Sequence, residues 1–230
     1  MDKIEYLSQF NLLRSLSTED LTEMDELTSI TTVPKHTFIQ TPETFTERLY
    51  FVKKGKVRLY RLSPDGKQFT LDLLGEGNVF GEMKGISLGT RGLFIETVEE
   101  SDICMMDTER FESYLLQRPR FMMNMIQVLS DRLAHLSSLA FNLALGNLHQ
   151  KILHTVVKLS EQFGYQSEGE YCRIDIPLSH QDLANRVGAS REAVTVALRE
   201  LSEQKVIKTG FKTISIQREK LFALNKHKEL

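Results

Sequence analysis

The hydrophobic pattern along this chain changes period twice, and each change predicts a different architecture. Over residues 33–106 the apolar positions come in short runs. Leu49-Tyr50-Phe51-Val52 and Val57-Arg58-Leu59-Tyr60 flank Gly55, and Phe69, Leu71 and Leu73 alternate with Gln68, Thr70 and Asp72. Alternation of this kind predicts a strand with one face in a core and the other in water. Ser63-Pro64-Asp65-Gly66 is a hairpin signal between two such runs. Glycines at 75, 77, 81, 85, 89 and 92 punctuate the rest of this region, and short strands with glycine corners predict an antiparallel sandwich or barrel. Nearer the N-terminus, Ser17, Asp20, Leu21, Met24 and Leu27 predict a short capped helix.

At Pro119 the period becomes helical, and no glycine or further proline interrupts it before Gly146. Met122, Ile126, Leu129, Leu133, Leu136, Ala140 and Leu143 recur at alternating steps of four and three. That seam repeats every 3.5 residues or so, which suits a helix pairing with a second copy of itself. Gly146 predicts a break, after which Ile152, Val156, Val157 and Leu159 continue a second helix. A polar stretch from Gln166 to Glu170 leads to a short strand, Arg173 to Ile176, and then to Pro177. Helices are expected next, with a two-stranded turn at the end. The reading is α+β: an antiparallel β-roll over 1–118, a dimerisation helix over 119–146 and a C-terminal domain over 147–230.

Charge sharpens this division. Residues 171–230 hold eleven Lys and Arg against seven Asp and Glu, a surplus of four positive charges, whereas residues 1–170 carry an excess of six negative ones. A basic tail domain on an acidic front suits a module that meets phosphate. At 41% hydrophobic and 26% charged, the 230-residue chain has the balance of a soluble globular protein. No basic start, secretory core or membrane-length apolar run is present, so the expected location is the cytoplasm, away from membranes.

The most informative stretch is Gln181 to Leu198. Ser179 can cap a first helix, with Asp182 completing the box. Ala184 is small where two helices cross, and Gly188 falls at the sharp turn, where positive φ is needed. Leu183, Val187, Val194 and Leu198 supply a buried face. This is a helix-turn-helix, whose second helix enters the major groove of double-stranded DNA. Val206 to Ile216, with Lys208, Gly210 and Lys212, reads as a hairpin wing.

Ser190-Arg191-Glu192-Ala193-Val194-Thr195 resembles the recognition helix of the CRP/FNR family of bacterial transcription regulators. Leu49 to Val52, Gly55, Asp65-Gly66-Lys67 and Gly77-Asn78-Val79-Phe80-Gly81-Glu82 resemble that family's cyclic-nucleotide-binding-type roll, in the family's order. The resemblance implies a homodimeric regulator that binds a pseudo-palindromic operator and works with RNA polymerase.

Arg191, Glu192, Thr195 and Arg199 share one helical face. An arginine can fork onto guanine O6 and N7 and a glutamate can accept from cytosine N4, so Arg191 and Glu192 are the expected base readers. Thr195 lies on the same face, within reach of base or phosphate. Val196 stands where the family has a second arginine, and can offer a thymine methyl only apolar contact. Arg199, with Ser179, His180 and Ser190 at helix starts, is expected on phosphate.

The resemblance also implies an effector site. Gly81, Glu82 and Arg91 match a phosphate cassette in which Glu holds a ribose hydroxyl and Arg pairs with a cyclic phosphate. Gly92 replaces the hydroxyl residue expected beside that arginine. Leu136-Ser137 stands where nucleotide binders have Thr-Ser, leaving Ser137 as the remaining adenine contact. A cyclic nucleotide is therefore disfavoured as an obligatory effector, with nucleotide-gated activation as the alternative.

No enzyme frame appears: there is no phosphate-binding loop, His-Glu-x-x-His motif or nucleophile elbow. Two separated cysteines, Cys104 and Cys172, are expected as packed reduced thiols. With no cysteine cluster, an iron–sulfur switch lacks its ligands. His36, His135, His149, His154, His180 and His227 have no metal spacing.

Overall fold

A computed structural model describes residue 22 and residues 28–83, 86–166 and 170–217. The short helix expected around Leu21, Met24 and Leu27 lies outside the described residues as a whole. Contacts divide the chain into two compact units: Met1–Leu62 with Thr70–Leu136, and Ser63–Phe69 with Ser137–Leu230.

Among the described residues the first unit holds nine short strands: β1 (Ser29–Val33), β2 (Phe38–Gln40), β3 (Arg48–Lys54), β4 (Val57–Leu62), β5 (Gln68–Leu74), β6 (Val79–Met83), β7 (Ile86–Ser87), β8 (Phe94–Thr97) and β9 (Ser101–Asp107). They form two sheets, ordered β1-β9-β3-β6-β7 and β2-β8-β4-β5, with antiparallel pairing as expected of a roll. Leu49 to Val52, in the strand that lies between β9 and β6, are four consecutive buried residues, so both faces of β3 are covered. Tyr50, Val52, Val57, Leu59, Phe80, Ile95 and Ile103 pack as one cluster between the sheets. Tyr50 and Phe80 stack with ring centroids 4.9 Å apart.

One strand departs from expectation. Thr70 in β5 is as buried as Leu73, so the clean apolar-in, polar-out alternation is not observed. The reason is that the polar side of β5 is covered by the chain: Asp72 meets His135 of the long helix at 4.0 Å.

Among the described residues after β9 the helices are α1 (Thr108–Leu116), α2 (Pro119–Leu145), α3 (Leu148–Phe163), α4 (His180–Val187) and α5 (Arg191–Glu203). α2 has the bounds that its pattern predicts. Gly146 terminates it, and Asn147 caps α3 in a reciprocal box with Gln150. Ile152, Val156 and Leu159 give α3 its buried face.

The second unit ends in a larger sheet than the expected two-stranded turn. β10 (Gly164–Gln166), β11 (Tyr171–Ile174), β12 (Ile207–Gly210) and β13 (Thr213–Gln217) are ordered β10-β11-β13-β12. The polar stretch after Gly164 hid β10, because three residues are too few for a period to be visible.

Candidate nucleic-acid interface and effector cassette

The helix-turn-helix is assembled by local chemistry. Ser179 caps α4 in a reciprocal box with Asp182, and Ser190 caps α5 by accepting from the Ala193 N–H. Between them Gly188 adopts φ 66°, the left-handed conformation that an L-residue enters only at a cost. Leu183, Ala184, Val187, Val194, Ala197, Leu198 and Leu201 are buried, which leaves the opposite face of α5 to solvent.

On that face Arg191, Glu192, Thr195, Val196 and Arg199 are all exposed. Thr195 Oγ1 donates to the Arg191 carbonyl at 2.8 Å. With that proton spent, the 2.8 Å contact between Thr195 Oγ1 and His180 Nδ1 must be donated by the imidazole. His180 and Thr195 therefore join the start of α4 to the recognition helix. The Ser179 hydroxyl donates to Asp182 Oδ2 while accepting from the Asp182 N–H, so its proton is spent on the cap. Ser190 spends only an acceptor lone pair. His149, at the start of α3, lies 2.7 Å from Glu200 on α5.

In the first unit Gly81 lies opposite Leu49 across the β3–β6 pair. Glu82 is 4% exposed, and its Oε1 accepts from both the Thr90 N–H at 2.8 Å and the Thr90 hydroxyl at 2.9 Å. Buried Gln40 donates from Nε2 to the Thr90 carbonyl at 2.9 Å. Thr90 is thus held on three of its polar groups by two buried side chains. Arg91, the next residue, is exposed, with its guanidinium 5.1 Å from the Phe45 ring centroid. Ser137 is exposed on α2.

Arg132 of α2 joins this cassette. Its guanidinium donates to the Leu88 carbonyl and, at 3.2 Å, to that of Val79. Burial lowers its pKa from the ordinary arginine value, and the carboxylates of Asp72 and Glu82 oppose that shift.

Thr90, Gln40 and Arg132 were not among the expected site residues. Arg132 had a signal. Phe121, Met125, Val128, Arg132, His135 and Leu139 form a second stripe at steps of four and three, buried or half-buried beside the seam. A charged residue within an apolar stripe needs partners. Thr90 is a hydroxyl residue before Arg91, where the expectation looked after it.

Two family models match this chain. The cyclic nucleotide-binding domain matches residues 30–118, and the Crp-like helix-turn-helix domain matches residues 150–224. The global nitrogen regulator of Synechocystis is 30% identical over 172 residues, 74% of this chain and 76% of that protein. This chain belongs to the CRP/FNR family. The family relatives include a CRP-like cAMP-activated global transcriptional regulator of Mycobacterium tuberculosis, 29% identical over 74% of this chain and 75% of its own length. The fold matches a CooA mutant from Carboxydothermus hydrogenoformans with TM-score 0.75 and 24% identity, over 92% of this chain and 93% of that one. It also matches the c-di-GMP-responsive regulator CLP of Xanthomonas campestris with TM-score 0.73 and 24% identity, over 87% and 99%.

As a CRP/FNR member the protein is a transcription regulator with a helix-turn-helix DNA-binding domain, and is not an enzyme. Among the described residues no cluster of three or more His, Cys, Asp or Glu could hold a metal. Cys104 and Cys172 are both buried. No helix among the described residues is long and apolar enough to cross a membrane.

Proposed function

We propose that the protein is a cytoplasmic homodimer that reads a pseudo-palindromic operator and has no strict need of cyclic AMP. The carrying observation is the exposed face of α5: Arg191 and Glu192 stand in its first turn, solvent-facing, above a helix start that Ser190 caps. Two such helices related by a two-fold axis read half-sites about one helical turn apart. Arg191, Glu192, Thr195 and Val196 face base edges. Arg199, His180 and Ser190 take phosphate, and Ser179 serves chiefly as the cap. By family likeness the bound dimer acts with RNA polymerase. Residues 1–118 form the effector-type roll, 119–146 the dimerisation helix and 147–230 the DNA-binding domain.

Selection of bound sites from random DNA tests this reading. The expected product is an inverted repeat, and Arg191→Ala loses roughly 1–3 kcal/mol at one guanine per half-site. Arg199→Ala weakens all sequences alike and flattens the salt dependence. An unchanged selected site in the Arg191 variant refutes the base-reading assignment.

Nucleotide-gated activation is the second reading. It is favoured by the family match of the roll, by Arg91 and by relatives named for cAMP. Three features support independence instead. Glu82 is turned inward onto Thr90, Gly92 has no hydroxyl to offer, and Leu136 brings no polar group. Losing two neutral hydrogen bonds, each worth about 0.5–1.5 kcal/mol net, weakens a nucleotide by roughly fivefold to over a hundredfold. Calorimetry is expected to find weak or no cyclic AMP or cyclic GMP binding. Low-micromolar binding that vanishes in Arg91→Ala, with nucleotide-dependent DNA affinity, establishes the gated reading instead.

A further inference from the structure

The turn between β12 and β13 consists of two residues, Phe211 and Lys212, closed by the pairing of Gly210 with Thr213. Phe211 is 90% exposed, the most exposed large apolar side chain among the described residues. Its exposure is not that of a loose loop. The Lys212 carbonyl accepts from the Leu178 N–H at 2.9 Å, and Leu178 directly precedes the Ser179 cap of α4. The wing tip is therefore pinned next to the start of α4, which His180 and Thr195 join to the recognition helix. Lys212 holds φ 51°, a left-handed conformation in which glycine is at ease and lysine is strained. A strained residue with a long cationic side chain is thus fixed at the tip, its ammonium 5.7 Å from the Phe211 ring centroid.

The charge carried by the wing itself is of one sign. Residues 207–217 include Lys208 and Lys212 and no acidic residue. Lys208 lies 3.9 Å from the Tyr171 ring centroid, which holds its ammonium at the root of the wing. An apolar protein surface would be met by an apolar rim, whereas this ring stands beside the Lys212 ammonium on a hairpin whose charged residues are both lysines. An exposed aromatic ring on a pinned turn, with one ammonium beside it and a second at the root of the same hairpin, fits a polyanion whose groove walls are apolar sugar edges, which is duplex DNA.

We propose that Phe211 is an apolar anchor in the minor groove beside each half-site, with Lys208 and Lys212 on the bordering phosphates. This rests on the DNA-binding reading above and adds to it a contact outside the base pairs that α5 reads. The anchor responds to groove width and sugar contact, and so adds affinity from flanking DNA without changing the core sequence selected.

The test uses the full chain and the operator obtained by selection, as a duplex with several flanking base pairs and as one trimmed at the half-site edges. Wild type is expected to bind the flanked duplex roughly tenfold more tightly than the trimmed one. Phe211→Ala removes most of that difference, keeps the same selected half-site and melts at the wild-type temperature. Lys212→Ala lowers the salt slope on flanked DNA by about one unit per wing. If Phe211→Ala matches wild type on flanked DNA, the anchor is refuted. That holds even if the variant loses transcription with polymerase, since the ring then serves a protein partner. If wild type selects no sequence at all, both the DNA reading and the anchor fall.

Discussion

Replacing Leu133 and Leu136 on α2 by lysine is expected to convert the proposed dimer to a monomer and to abolish specific DNA binding while leaving each protomer folded. Leu133 is 70% exposed and Leu136 40% exposed in the single chain, so neither is a support of its own core. Ile126 and Ala140 lie exposed on the same stripe, whereas Leu129 and Leu143 are half-buried at its edge. Burying a leucine against a partner is worth about 1.5–3 kcal/mol, so two per protomer contribute about 6–12 kcal/mol across the two-fold axis. Four lysines on a facing seam add repulsion to that loss. A monomer presents one recognition helix to one half-site, and the coupling between half-sites vanishes with the interface. Sedimentation at micromolar protein, with a melting curve to verify folding, reads the first part; a gel shift on the selected operator reads the second. A double-lysine variant that still sediments as a dimer would show that the contact lies elsewhere.

The sequence made that seam legible because a heptad repeat needs only apolar spacing to be seen. The neighbouring stripe has the same steps of four and three but is harder to read, because Arg132 and His135 interrupt its apolar positions. The same limit explains β5. Period two was correctly read as a strand, but the pattern cannot say that the polar side will be covered, as the Asp72–His135 contact shows it to be. The helix-turn-helix was legible almost residue by residue, since its caps, its turn glycine and its buried face are all local features. What stayed hidden there was the use of each hydroxyl. A serine at a helix start can cap or can meet phosphate, and only geometry reveals that the Ser179 proton goes to Asp182. In the roll, motif likeness points to Gly81, Glu82 and Arg91. It could not find Gln40, fifty positions from the Thr90 carbonyl to which it donates. Long-range polar pairing has no signature in a single sequence.

The cassette also contains a position where substitution should cost the fold heavily. Gly81→Ala is expected to unfold the roll or lower its melting temperature by roughly 4–24 °C, at roughly 2–4 °C per kcal/mol for a chain of this size. Gly81 sits at φ 118°, which an alanine rarely adopts, and strain of that kind costs on the order of 1–3 kcal/mol. A Cβ there would also collide with the Arg48 carbonyl oxygen and lie 3.2 Å from Leu49 Cα. Both are backbone atoms of β3, a strand held on its other side by β9, so no side chain can swing aside. Relieving the clash means parting the Leu49–Gly81 pair, at a further cost of roughly 1–3 kcal/mol. The sum is a large share of the roughly 5–15 kcal/mol that keeps a typical domain folded. This matters for reading the effector motif. A glycine fixed by the approach of β3 is required whether or not any ligand enters, so its presence carries no weight for nucleotide binding. Circular dichroism melting of wild type and Gly81→Ala, both without nucleotide, separates the two explanations. A variant that melts within about 2 °C of wild type would mean that the strand yields and that the glycine serves something other than the fold.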